Sequence, residues 1–384
     1  MEVTQLYELV NNATKEAIGD SAILNEDLSN IVDIGTAVFN ANAVDKYVKS
    51  LVNHIGKVVF VNRVYQGGAP SVLMDAWEFG SVLEKVSTGL PEAKENETWE
   101  LTDGETYNQD IFYKPSVQAK FYNSLATFEV DMSFAEKQVK QSFSSATQLN
   151  GFISMLYTSV ENSITVKVDE LIMRTIDNMI TETIYDDYGS DALDSKSGVK
   201  AINLLYLYND KFNASLTPDL ALQTPEFIRF ASAIMMIYIK RITKMSKLFN
   251  VGGQPRFTPV SDLHLVMLED FKSYANAYLQ SDTFHDEYTK LPEAEGVAYW
   301  QGSGENYAFE DVSKIHITNS ASHEVEVTGV LATLFDRNAL GVSNLDRRVT
   351  NHVNAKAEFY SNFYKHDAGY FNDFNENMIV FFIA

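Results

Sequence analysis

The run Val117-Gln118-Ala119-Lys120-Phe121-Tyr122, continued through Phe128-Glu129-Val130-Asp131-Met132 to Ser133-Phe134-Ala135-Glu136, is where the sequence changes period. Val117, Ala119 and Phe121 alternate with polar neighbours, and Phe128, Val130 and Met132 do so again, the two-residue repeat of a half-buried strand. Ser133 and Glu136 then form an S-x-x-E capping box, which predicts a helix start there. Val139, Phe143, Ala146, Leu149, Phe152, Ile153, Leu156 and Val160 follow at mostly three- and four-residue spacing. The pattern resumes at Ile164, Val168, Ile172, Ile176, Ile180 and Ile184. Unbroken, such a helix would be a rod of about 75 Å, at roughly 1.5 Å per residue. Asn150-Gly151 or Glu161-Asn162-Ser163 could instead divide it into two or three core helices. Either way, strands lead directly into helix, and the class is α+β.

Working back from this segment, residues 72–86 are also strand-like. Between them and Val117 lies a polar stretch, 91–109, carrying Glu92, Glu95, Glu97, Glu100, Asp103 and Glu105 against Lys94 alone. Two strand-like arms around a charged tip read as an extended β-hairpin projecting from the body; an acidic surface loop is the alternative. Upstream, Val3, Leu6, Leu9 and Val10 predict a short amphipathic helix over 2–17. A loose stretch follows, then a helix near 41–55, then extended structure at Val58-Val59-Phe60-Val61.

Working forward, 185–200 is a polar connector with Asp186, Asp187, Asp191 and Asp194. Thr224-Pro225-Glu226 predicts a helix start, running to about Leu248. Strands are expected at 263–268, 312–318 and 323–331, with a helix near 270–280. Phe359, Tyr360, Phe363, Tyr364, Tyr370, Phe371 and Phe374 read as core or interface packing. The chain closes on Met378-Ile379-Val380-Phe381-Phe382-Ile383, a buried-strand run whose loss would be poorly tolerated if the strand is central.

Composition narrows the function. With 384 residues, 45% hydrophobic and rich in Phe and Tyr, the chain can build a sizeable core and is not a disordered one. It has no cysteine, which excludes disulfides, thiolate metal sites and cysteine nucleophiles. Its longest apolar run, Phe230 to Ile239, falls short of the roughly 20 residues of a membrane span. No secretory leader follows Met1. Fifty-two acidic residues against 30 basic give a net charge of −22, a poor basis for gripping nucleic acid. No phosphate loop, H-E-x-x-H helix or G-x-S-x-G elbow occurs. Gly302-Ser303-Gly304 reads as a turn, and no two histidines share the spacing of a helical metal pair. His285-Asp286-Glu287 and His366-Asp367 read as loops rather than acid–base sites. Lys240, Arg241, Lys244 and Lys247 form a basic face at a helix end, read first as dipole complements and second as an anion site. No catalytic, cofactor or metal residues are assigned.

The order of elements resembles that of the major capsid proteins of tailed double-stranded-DNA bacteriophages, the Hong Kong 97-type fold. The likeness rests on Val117 to Phe143 and on Gly329 to the C-terminus, with Leu334-Phe335-Asp336-Arg337-Asn338-Ala339-Leu340-Gly341 and Gly369-Tyr370-Phe371. It implies an N-terminal arm (1–58), an extended-loop hairpin (59–132), a peripheral domain with a spine helix (133–200), an axial domain (201–328) and a peripheral return (329–384). It also implies a structural subunit, not an enzyme, that forms pentamers and hexamers of an icosahedral head in the host cytoplasm. That head would enclose DNA without sequence-specific contacts. The hairpin tip, with Glu92, Glu95, Glu97, Glu100, Asp103 and Glu105, would touch a neighbouring subunit. Portal, separate scaffolding and decoration proteins are the implied partners, with no membrane. Only a short helix precedes residue 20, so no cleaved scaffolding segment is expected. Some relatives cross-link Lys to Asn; Lys85 and Lys94 lie in or near the hairpin, without an assigned partner. An encapsulin-like compartment shares the fold and is the alternative; a soluble acidic hydrolase is a third reading.

Overall fold

The computed structural model describes residues 3–19, 24–25, 30–41, 43, 46–47, 50, 68–74, 82–91, 93, 95, 100–107, 110–135, 146–280, 294–301, 307–318, 322, 324–357 and 359–384. The sequence pattern places α1 at Val3–Ile18, where Val10, Ala13 and Ala17 are buried. A second helix, α2 (Ile31–Asn40), occupies part of the stretch read as loose. The helix expected near 41–55 falls largely outside the described residues, and the run 58–61 wholly outside.

Two sheets build the body. The first has the order β1 (Leu73–Met74), β11 (Leu340–Asn354), β12 (Phe359–Asn372), β4 (Leu125–Ala135). Its middle is a long antiparallel pair, Leu340↔Asn372 to Asn354↔Phe359, with a register shift between Asn344 and Asp346. The capping-box expectation fails here. Ser133 lies in β4 opposite Ser361, and the two hydroxyls are 2.9 Å apart. An eleven-residue ladder with β12 outweighs one local cap, and the described part of the helix, α3, runs from Ala146. Glu136, Val139 and Phe143 lie outside the described residues.

The spine helix α3 (Ala146–Tyr188) is a single rod of 43 residues, about 65 Å at roughly 1.5 Å per residue. Neither Asn150-Gly151 nor Glu161-Asn162-Ser163 breaks it. Val160, Ile164, Val168, Ile172, Ile176, Ile180, Ile184 and Tyr188 are all buried, every fourth residue. At 3.6 residues per turn, that spacing advances about 40° per step, so the apolar stripe winds around the rod. The C-terminal half is accordingly covered on several sides, Met179 to Ile184 being buried without interruption. The buried threonine hydroxyls of that half are satisfied within the helix: those of Thr175, Thr181 and Thr183 donate to carbonyls four residues back, at 2.7, 2.7 and 2.8 Å. At its end, Asp187 accepts from the backbone N–H groups of Lys200 and Ala201, both at 2.8 Å, and pairs with the Lys200 ammonium at 2.7 Å. Burial opposes the charge on Lys200, yet Asp186 and Asp187 together raise its pKa.

The second sheet runs β5 (Ala201–Asn203), β13 (Met378–Phe382), β10 (Val330–Asp336), β6 (Leu263–Leu268), β7 (Glu295–Val297). The C-terminal run is thus a central strand, antiparallel to β10 and parallel to β5. Its alternation divides two cores. Met378, Val380 and Phe382 join the spine helix, while Ile379, Phe381 and Ile383 face the opposite layer. That layer is built from α4 (Leu204–Phe212), α6 (Pro225–Ile242) and α7 (Glu269–Gln280), with the short α5 (Pro218–Ala221) between the first two. A strand covered on both faces explains an unbroken apolar sequence. Helix α6 starts at Pro225 as expected and stops at Ile242, short of Leu248. The expected strand 312–318 begins at Ile315, after the turn of helix α8 (Phe309–Val312). The expected strand 323–331 is two strands, β9 (Glu324–Val327) and β10, parted at Gly329; β9 pairs with β8 (Ile315–Thr318).

Candidate intersubunit surface

The arm read from the sequence is a hairpin. Strand β2 (Leu83–Thr88) pairs antiparallel with β3 (Val117–Tyr122), from Leu83↔Tyr122 to Thr88↔Val117, and the N–H of Gly89 adds a bond to the Ser116 carbonyl at 2.7 Å. Every described residue from Gly89 to Ser116 is exposed, among them Leu90, Leu101, Ile111, Phe112 and Tyr113. Phe112 is 85% exposed. A lone two-stranded hairpin is marginal in water, and apolar side chains this open mark a surface awaiting cover. Of the tip carboxylates, Glu95, Glu100, Asp103 and Glu105 are exposed and project with the arm. Glu92, Glu97 and Lys94 lie outside the described residues.

The root of the arm is clamped. Lys85 and Lys120 are directly opposite in register, which would repel on its own. Asp373, in the turn between β12 and β13, takes one lysine on each oxygen: Lys85 at 2.7 Å and Lys120 at 2.8 Å. The Lys85 ammonium also reaches Glu376 at 2.8 Å and the Asn338 carbonyl at 3.0 Å. Its three protons are therefore engaged within the subunit. The ring of Tyr122 rests on Phe371, centroids 5.1 Å apart. Nothing in the local sequence signals this clamp, because its lysines lie 253 to 291 residues from the carboxylates they meet. Burial alone would push the Asp373 pKa up, but its bonds to Lys120 and Lys85 outweigh burial and lower it.

This carries a pH prediction. A carboxyl whose folded pKa is lowered contributes stability above its unfolded value, near about 3.9, and loses it as pH falls through the folded value. Hydrogen exchange of residues 83–88 and 117–122, corrected for its intrinsic pH dependence, is expected to accelerate below about pH 4. In Asp373→Asn it is expected to be fast already at pH 7, leaving two lysines without their shared carboxylate.

Other candidates separate in space. Lys240 and Arg241 occupy the last turn of α6, where they complement its dipole, whereas Lys244 and Lys247 lie beyond the helix end. His366 is buried in β12; its Nδ1 accepts from Arg347 at 3.0 Å and its other ring nitrogen meets Asn344 at 3.0 Å. Asp367 faces the other way, pairing with Arg348 and Thr127, so the adjacent residues share no site. A cavity of about 920 Å³ beside the spine helix is lined by residues including Asp169, Glu170, Arg174, Asp177 and Tyr370. Burial alone drives the Asp177 pKa well up. Among the described residues no cluster of three or more metal-ligating side chains occurs, and no helix is long and apolar enough to cross a membrane. His285-Asp286-Glu287 and Gly302-Ser303-Gly304 lie outside the described residues.

Residues 10–382 match the sequence profile of the family described as Phi29-like phage major capsid protein. The chain belongs to that family. The major capsid protein of Bacillus phage GA-1 is 22% identical over 195 residues, 48% of this chain and 38% of that protein. That of Bacillus phage B103 is 22% identical over 193 residues, 48% of this chain and 40% of that protein. The match thus spans about two-fifths of the length of these curated relatives. Among solved structures, the capsid structure of Staphylococcus phage Andhra aligns over 84% of this chain and 86% of its own, with 11% identity and a TM-score of 0.49. A chain from the mature capsid of bacteriophage PhiM1 aligns over 84% and 87%, with 8% identity and a TM-score of 0.40. Membership in a phage major capsid protein family, and an α+β fold, are what the sequence resemblance implied.

Proposed function

We propose that this major capsid protein self-assembles, without catalytic activity of its own, into pentamers and hexamers of an icosahedral shell enclosing double-stranded DNA. The carrying observation is the arm: a rooted hairpin whose every described residue beyond the ladder is exposed and partly apolar. Packed on a neighbour, that surface would be covered. In this reading the arm, within 59–132, lies over the adjacent subunit through Glu92, Glu95, Glu97, Glu100, Asp103 and Glu105. Residues 201–328 face the capsomer centre; 133–200 and the return 329–384 form the periphery, and 1–58 an N-terminal arm. The net charge of −22 suits a wall that confines DNA without adhering to it. Assembly in the host cytoplasm, with portal, separate scaffolding and decoration proteins as partners, follows from the same reading. Membership in a phage capsid family leaves the compartment and hydrolase readings without an observation of their own.

Joining Leu90 to Pro115 through a two-residue turn tests this. The clamp at Lys85 and Lys120 remains, so the melting temperature is expected to stay within about 3 °C, a change of under roughly 1 kcal/mol. Assembly, read by sedimentation and negative-stain imaging, is expected to be lost. Shells of normal size and yield from the shortened chain would remove the arm from the account.

A further inference from the structure

We infer that the basic and apolar surface at the C-terminal end of α6 is the seat for the acidic arm tip of a second copy. The inference deepens the shell-subunit reading and rests on it. Beyond Ile242 the chain turns back on itself. Ser246 and Arg256 exchange backbone bonds at 2.9 and 3.0 Å, and the N–H of Thr258 donates to the Ile242 carbonyl at 3.0 Å. This gathers Lys240, Arg241, Lys244 and Lys247 beside Met236, Ile237, Met245, Leu248 and Phe257. All nine are exposed, the apolar five by 44% to 58%.

Lys240, Lys244 and Lys247 have no carboxylate partner among the described residues. They stand together on one surface in a chain whose acidic residues outnumber basic ones 52 to 30. Four positive charges among five open apolar side chains call for an anionic partner that also carries apolar groups. A phosphate backbone offers the charge without the apolar surface. The arm offers both: Glu95, Glu100, Asp103 and Glu105 alternate with Leu90, Leu101, Tyr107, Ile111 and Phe112, all exposed. Position fits as well. Arg256, on the segment that folds back beside the seat, lies 3.6 Å from Glu376, which holds Lys85 at the arm's own root. Seat and root are therefore neighbours in one subunit. A tip reaching out up to about 50 Å, at roughly 3.3 Å per residue from Thr88 to Asp103, would bind the next subunit head to tail. A heterologous contact of this kind closes into a ring where the rotation between neighbours divides a full turn.

The test mixes ordinary and ¹⁵N-labelled full chains, lets them assemble, and joins touching carboxylates to lysines with a carbodiimide for mass-spectrometric mapping. Mixed-label links from Glu95, Glu100, Asp103 or Glu105 to Lys240, Lys244 or Lys247 are expected. Reversal of the seat (Lys240→Glu, Lys244→Glu, Lys247→Glu) is expected to raise the concentration for half-assembly about tenfold or more. Added reversal of the tip (Glu95→Lys, Glu100→Lys, Asp103→Lys, Glu105→Lys) is expected to restore it largely. Particles that lack these links, and that form equally well from the seat-reversed chain, would overturn the inference and leave self-assembly standing. Protection of the three lysines by added duplex DNA but not by assembly would assign the seat to phosphate and also overturn it. A chain that never assembles would overturn both readings.

Discussion

Removal of Met378 to Ala384 is expected to leave no folded subunit. The five residues of β13 and Ile383 are each buried to within 1%. Full burial of such a side chain stabilises by roughly 1.5–3 kcal/mol, so six amount to roughly 9–18 kcal/mol. That matches or exceeds the about 5–15 kcal/mol that holds a typical domain folded. The loss also strips β10 and β5 of their shared partner and opens both cores at once. Far-UV circular dichroism and soluble yield would show it. Removal of Ala384 alone, whose carbonyl takes one bond from Asn203 at 3.2 Å, is expected to be tolerated. A soluble truncated chain with a cooperative melt would contradict the central placement of β13.

Gly329→Ala is expected to be the most damaging single methyl group. Gly329 parts β9 from β10 at a φ of +76°, and a Cβ there would lie 1.9 Å from the backbone carbonyl oxygen of Ile383. The left-handed conformation costs a side chain about 1–2 kcal/mol, and the clash must displace the end of the central strand. A loss on the order of 3–5 kcal/mol is expected, read as a lower urea midpoint at unchanged slope. Gly296→Ala supplies the contrast. Its Cβ would meet the Glu269 carboxylate, a mobile side-chain end that can swing aside. Equal losses at the two positions would refute the steric argument.

The parts of the fold legible in the sequence are those where one local pattern and one environment coincide. Strand β6 matches the expected 263–268, because Leu265 to Leu268 is a short apolar run between two cores. Helix α1 and the central strand β13 were legible for similar reasons. Strand β11 was not: Asp346, Arg347 and Arg348 interrupt its apolar residues, and the register shift beside Leu345 breaks the alternation. In β12 the aromatic residues stood out but the strand did not, since its buried face includes Asn362 and His366. The arm was visible as two strand patterns around an acidic tip. Its clamp was not, because Lys85 and Lys120 meet Asp373 only through the tertiary fold. The basic residues after α6 were visible, whereas the turn that sets them beside Phe257 needed the Ser246–Arg256 pairing.

Self-assembly is the claim on which the rest depends. The direct measurement is light scattering of the purified full chain across micromolar concentrations, with negative-stain imaging of the heaviest fraction. The account predicts five- and six-membered rings or closed shells. A chain that stays monomeric at every concentration, and also when co-expressed with the other head proteins of its phage, would contradict it.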